Sequence, residues 1–178
     1  MQTYLSKEVE TILCYARDEA MRVGSYSIGA DHLMLAILRH SANHAVDALC
    51  GMGVDCEGLK KSIDSMVFHE HCIPYCDADN VNLSRSAQNT ISMAVGEAIK
   101  YGQGEVKPEH LLLAMCLAEG SFAKEALHQS GIRHATLTER LKRLGHLSPD
   151  RAKTAKEEDE MRISELTAAL SITKKTQS

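Results

Sequence analysis

Residues 19–36 read EAMRVGSYSIGADHLMLA, and residues 97–114 read EAIKYGQGEVKPEHLLLA. The second stretch restates the first at an offset of 78 residues. Working outward at that offset, residues 5–63 lie on 83–141 without a gap, and fifteen positions are identical. Leu5/Leu83 and Ser6/Ser84 open the unit. Ala48/Ala126, Leu49/Leu127, Gly53/Gly131 and Leu59/Leu137 keep register to its far end, and Ile28/Val106 and Val54/Ile132 are conservative exchanges. An ungapped self-match of this length marks a duplicated structural unit, which has to be recognised before any single element is assigned.

Each copy is helical by its period and its punctuation. Ser6 and Ser84 suit an N-cap, because a side-chain oxygen there accepts a free backbone N–H, and the leucine before each serves as a hydrophobic staple. Gly24 and Gly102 mark the ends of these first helices. Between those marks Val9, Ile12, Leu13, Ala16, Ala20 and Val23 recur at three- and four-residue spacing, as do Ala87, Ile91, Ala94, Ala98 and Tyr101, so each helix carries one apolar stripe. A second helix is expected from Asp31 to about His40 and from Pro108 to about Ala118, proline fitting a first turn whose N–H has no partner. Gly53 and Gly131 close a third. Leu59, Ile63 and Val67, or Leu137, Leu141 and Leu144, stripe a fourth. Strand-like alternation is absent. The expected class is all-α, with two pseudo-symmetric four-helix repeats at 5–67 and 83–145 and a linker at 68–82. Together they make one domain over 1–147, and a charged helical tail follows at 148–178.

Composition excludes several functions. The 178 residues are 44% hydrophobic and 25% charged, with a net charge of −4. No window gathers enough Lys and Arg to neutralise several phosphates. Five Tyr, two Phe and no Trp leave little to stack on bases. Nucleic acid is therefore not an expected partner. The longest apolar run, Leu111 to Ala118, falls far short of the ~20 residues that span a bilayer, so a membrane is not expected either. The N-terminus has acidic residues where an export signal needs an apolar stretch, which points to the cytoplasm and to reduced cysteines. Most of Cys14, Cys50, Cys56, Cys72, Cys76 and Cys116 are expected to be buried thiols.

The order of these signals is a capped helix ending E-A-x-x-x-G, then [IV]-x-x-[DE]-H-L-x-L-A, then A-x-x-A-L and G-[VI]. It resembles the double Clp repeat, the N-terminal domain of Clp unfoldase ATPases, and most of all its ClpC and ClpA branch. The motif stands as Glu19-Ala20, Gly24 and Ile28-Gly29-Ala30-Asp31-His32-Leu33. It stands again as Glu97-Ala98, Gly102 and Val106-Lys107-Pro108-Glu109-His110-Leu111, and the resemblance covers roughly residues 4–145. It implies a non-enzymatic protein-binding module of ATP-dependent proteolysis and protein quality control, whose partners are protein substrates or adaptors. The phosphate-cradling loop G-x-x-x-x-G-K-[ST] does not occur. The expectation is thus a freestanding N-domain that hydrolyses no ATP, needs no cofactor, and serves or competes with a Clp ATPase in trans.

Ser6 and Ser84 begin helices, where free N–H groups and the positive end of the dipole favour an anion. Asp31 and Glu109 stand near the start of each second helix, and a carboxylate beside such a helix end suits a ligand carrying both a cation and an anion. The resemblance implies pockets for phosphorylated arginine, the acidic residue taking the guanidinium and the cap region the phosphate. By position, the ligand-binding set is Ser6, Asp31, Ser84 and Glu109. The same four residues equally suit plain helix capping. His32 and His110, each one residue past the carboxylate, are expected to be packed, hydrogen-bonded histidines holding the interhelix corner. No nucleophile elbow, His-Glu-x-x-His or Cys-x-x-Cys constellation supports an enzyme. The linker from Phe68 to Asp77 holds His69, His71, Cys72 and Cys76, ligand types that zinc prefers, at a spacing without paired knuckles. A small zinc-binding or redox protein built on these four is the alternative reading; a solvated linker is the simpler one.

Overall fold

The computed structural model describes residues 3–149, so the expected helical tail lies outside the described residues from position 150 onward. The first repeat forms α1 (Lys7–Arg22), α2 (Ala30–Arg39), α3 (His44–Gly51) and α4 (Cys56–Val67). The second forms α5 (Arg85–Lys100), α6 (Pro108–Met115), α7 (Phe122–Gln129) and α8 (His134–Arg143). The caps are those the sequence specifies. Ser6 Oγ accepts from Val9 N–H at 3.3 Å and Ser84 Oγ from Ala87 N–H at 3.1 Å. Asn43 and Ser121 cap α3 and α7 in the same way. Past α1 and α5 the chain turns at Gly24 and Gly102, with φ of 82° and 67°, a region glycine enters without a Cβ clash. At Gly24 the linker also lies on the turn, where a side chain would collide with the His71 carbonyl oxygen.

The structure adds strands that the sequence does not disclose. β1 (Tyr4–Leu5) pairs in parallel with β4 (Glu105–Val106), and β2 (Ser27–Ile28) with β3 (Asn82–Leu83). Tyr4 faces Glu105 and Ser27 faces Asn82, so the two pairings are the same pairing with the repeats exchanged. Each repeat lends its leading strand to the other. A two-residue strand has no alternation to read, which is why helical periodicity alone misses it.

α2 and α6 sit at the centre. Leu33, Met34, Leu35, Ala36 and Ile37 on α2, and Leu111, Leu112, Leu113, Ala114 and Met115 on α6, are all inaccessible to solvent, the mark of a helix enclosed on every side. α2 packs on α1, α4, α5, α6 and α7, while α6 packs on α5, α3 and α8. Thus α7 of the second repeat leans on α2 of the first, and α3 of the first leans on α6 of the second. Each fully buried leucine contributes about 2 kcal/mol of transfer free energy, and one hydrophobic core shared by both repeats collects it.

The linker is tied down rather than freely solvated. His69 N–H donates to Val23 O at 2.9 Å and Ile73 N–H to Met21 O at 2.8 Å. Ile73 and Val81 are buried, and Tyr75–Asn80 forms a short 3-10 helix between them.

Candidate functional site

The strand exchange decides which sequence-predicted residues meet. Ser6 N–H donates to Val106 O at 3.0 Å, and Ser84 N–H donates to Ile28 O at 2.9 Å. The capped start of α1 therefore stands beside the segment leading to Glu109, and the capped start of α5 beside the segment leading to Asp31. Each end of the molecule combines a serine from one repeat with a carboxylate from the other. The positions within one repeat do not reveal this, because the crossing is made by the two-residue strands.

The carboxylates are employed differently. Asp31, half-buried on the first turn of α2, reaches the start of α7, where its Oδ1 accepts from Ala123 N–H at 2.7 Å. Burial pushes its carboxyl up, against the pull of the Ala123 and Phe122 N–H groups. Asp31 is therefore an inter-repeat helix cap. Glu109 is 1% exposed and its Oε2 has no hydrogen-bond partner. Burial pushes its carboxyl up, and the bond to its own backbone N–H and the fields of His44 and Lys107 pull it back, while Glu8 on α1 pushes it further. The buried carboxylate at the Ser6 end thus keeps one oxygen uncommitted.

Open volume is distributed the other way. A cleft of about 450 Å³ lies between α1 and β3, lined by Leu13, Arg17, Ile28, Leu83 and Gln88. A second, of about 640 Å³, runs along the start of α5 past Arg85, Ser86, Asn89 and Met93 to Leu117 and Glu119. Both border the Ser84 end. That end offers space, two arginines and an apolar wall; the Ser6 end offers the uncommitted carboxylate.

The two histidines take the structural role expected of them. His32 Nδ1 accepts from Gly29 N–H and His110 Nδ1 from Lys107 N–H, both at 2.9 Å, closing the start of α2 and α6 in the manner of a capping box. Burial pushes His32 down to about 4, so its ring is neutral at pH 7. Sequence reasoning left one repeated pair without a role, Glu19 and Glu97. Glu19, nearly inaccessible, pairs with Arg22 at 2.7 Å and with Arg39 of α2 at 3.3 Å. Arg22 continues to Asp64 on α4. Glu97 pairs with His134 of α8 at 2.8 Å and Lys100 at 3.8 Å. The signal was present as two identical acidic positions on an otherwise apolar helix face.

The cysteine expectation is corrected: only Cys116 is buried, Cys56 is half-buried, and Cys14, Cys50, Cys72 and Cys76 are exposed. His69, His71, Cys72 and Cys76 are all exposed on the linker. Among the described residues no three His, Cys, Asp or Glu side chains come together as a metal site, so these four are not gathered for zinc. The linker spends its buried positions on Ile73 and Val81, and the four ligand-type residues around them are exposed. No helix among the described residues is long and apolar enough to cross a membrane.

A duplicated four-helix unit whose copies exchange two-residue strands defines the class of domain. The chain belongs to the Clp repeat N-terminal domain family, whose profile matches residues 4–130 and again 82–170. It is 25% identical over 127 residues to the negative regulator of genetic competence ClpC/MecB of Bacillus subtilis, covering 71% of this chain and 15% of that relative. The chain thus spans a small part of the length of the relative it matches. The N-terminal domain of the caseinolytic protease associated chaperone ClpD from Arabidopsis thaliana superposes with a TM-score of 0.60 at 17% identity, over 79% of this chain and 96% of that one. The N-domain of ClpV from Vibrio cholerae gives a TM-score of 0.65 at 17% identity, over 81% and 86%. These two likenesses concern the fold.

Proposed function

We propose that this chain is a non-enzymatic recognition module that takes protein substrates or adaptors for ATP-dependent proteolysis and protein quality control, and that it reads phosphoarginine-type degrons at its two ends. A Clp ATPase is the machine that acts on what it binds. The observation that carries the reading is the strand exchange, which stands a serine-capped helix start beside a segment bearing a carboxylate at both ends, half-buried at Asp31 and buried at Glu109. Free N–H groups at a helix start complement a phosphoryl group, and a carboxylate complements a guanidinium in a two-point geometry. Cleft volume at the Ser84 end, with Arg17 and Arg85 on its walls, further supports an extended anionic segment.

The test is a titration with phosphoarginine, followed by backbone amide shifts in NMR, with arginine and phosphoserine as controls. Saturable shifts around Ser6, Asp31, Ser84 and Glu109 are expected with phosphoarginine alone. Silence at those amides, or equal shifts with arginine, would reject the degron reading and leave adaptor binding as the function to test against a Clp ATPase.

A further inference from the structure

We infer that Cys50 and Cys56 form a paired-thiol modification site, closed by a hydroperoxide into an intrachain disulfide that clamps the α3–α4 turn. The two Sγ atoms stand 3.6 Å apart across six residues of chain. It is the only sulfur–sulfur contact among the described residues. A disulfide needs about 2.05 Å between sulfurs, so closure asks for roughly 1.5 Å of approach, within the reach of side-chain rotation.

The backbone already holds the pair in place. Cys50 lies in the last turn of α3 and Cys56 is the first residue of α4. Between them Gly53 N–H donates to Cys50 O at 3.0 Å and Val54 N–H to Leu49 O at 3.1 Å, with Val54 buried beneath the turn. The sulfurs are thus juxtaposed by a turn that exists without the bond, and oxidation need not deform it. The location matters because α3 leans on α6 and α8, while α4 leans on α2 and α7. The clamp joins two of the helices through which the first repeat contacts the second.

The two thiols are unequal. Cys56 is half-buried, and burial, followed by its hydrogen bond to Cys50 and the charges of Cys50 and Asp55, pushes its thiol up to about 12. Cys50 is exposed and meets the oxidant first. Its thiolate attacks one oxygen of hydrogen peroxide; the O–O bond breaks, the sulfur becomes a sulfenic acid, and the other oxygen takes a proton and leaves as water. The Cys56 sulfur then attacks the Cys50 sulfur, the S–O bond breaks, and the departing hydroxide takes the Cys56 proton. Two thiols and one peroxide give one disulfide and two waters.

Trypsin supplies a direct readout, since residues 40–60 form one peptide that contains these two cysteines and no other. The full chain is treated with equimolar hydrogen peroxide, quenched, alkylated with N-ethylmaleimide and digested. Peptide 40–60 is expected to escape alkylation and to weigh about 2 Da less than its reduced form, while the peptide carrying Cys14 remains alkylated. In Cys50→Ser the remaining Cys56 is expected to be alkylated with or without peroxide. Alkylation of Cys50 and Cys56 to the extent seen at Cys14, separate sulfinic acids on the two sulfurs, or cross-links from either to another cysteine would each overturn the inference.

Discussion

At the Ser84 end of the molecule Asp31 accepts from Ala123 N–H at 2.7 Å and closes α7; at the Ser6 end Glu109 occupies the same repeat position, is 1% exposed, and leaves Oε2 unmet. One methylene separates the two side chains. The shorter carboxylate spans to another helix's free N–H groups and becomes part of the frame, whereas the longer one turns back to its own backbone N–H. A duplicated motif has produced one cap and one buried carboxyl with an unmet oxygen. A buried, incompletely paired carboxylate costs stability, and such groups concentrate where a ligand completes them. The end with the open clefts has spent its carboxylate; the end with the carboxylate to spare keeps it closed.

Variants at paired positions break or sharpen that contrast. The largest effect is expected at Glu19, whose buried carboxylate joins α1 to α2 through Arg39 and, through Arg22, to α4. Glu19→Ala takes the buried carboxylate from two arginines, which keep only the more exposed Asp64 and Asp18, and should lower stability by about 3 kcal/mol. Glu97→Ala, which strands His134 and Lys100 instead, should lower it by about 2 kcal/mol. Urea unfolding of the two variants side by side decides, and equal losses would remove the asymmetry.

The next effect is pH dependence from His32. Its folded value of about 4 lies below the ordinary 6.5, so the unfolded chain takes up the proton first on acidification. The stabilisation is complete above pH 6.5 and is lost as pH falls towards 4, by about 3 kcal/mol at most. His32→Gln, whose side-chain oxygen can still accept from Gly29 N–H, should lack this component. The wild-type minus variant stability, measured by urea midpoints from pH 7 to pH 4.5, should narrow steadily; a constant difference would mean that His32 does not titrate as its burial requires.

The smallest effects carry opposite signs. Asp31→Asn should cost about 1.5 kcal/mol, because a charged cap on α7 becomes a neutral one. Glu109→Gln should instead gain about 1 kcal/mol, because a carboxyl whose ionised form burial disfavours is replaced by a neutral amide, while weakening any phosphoarginine response at Ser6. Thermal melts of the two variants give the signs directly, and losses in both would make Glu109 a second structural cap.

Much of this was legible in residue order. The offset repeat, the serine caps, the glycine stops and the apolar stripes each have a local cause acting within a turn of helix, and they are found where the sequence puts them, except that Leu144, expected in the last stripe, is exposed just past the end of α8. His32 and His110 were legible for the same reason, since each stands at a helix start, one residue past a carboxylate and in register between the copies, where its ring can accept a first-turn backbone N–H. Cysteine burial was not. Cys14, Cys50, Cys72 and Cys76 lie on surfaces fixed by how whole helices pack, and residue type alone is a weak guide to that. Nor was the partner of Asp31, which is 92 residues away.

By itself the sequence determined the helices, their ends and their duplication, because hydrogen bonds between near neighbours and the 3.6-residue period act locally. Only the tertiary structure decided that the repeats exchange strands, that Asp31 is spent while Glu109 is not, and that Cys50 and Cys56 touch. Those outcomes depend on distances between elements far apart in the chain, set when α2 and α6 are buried together, and no local rule contains them.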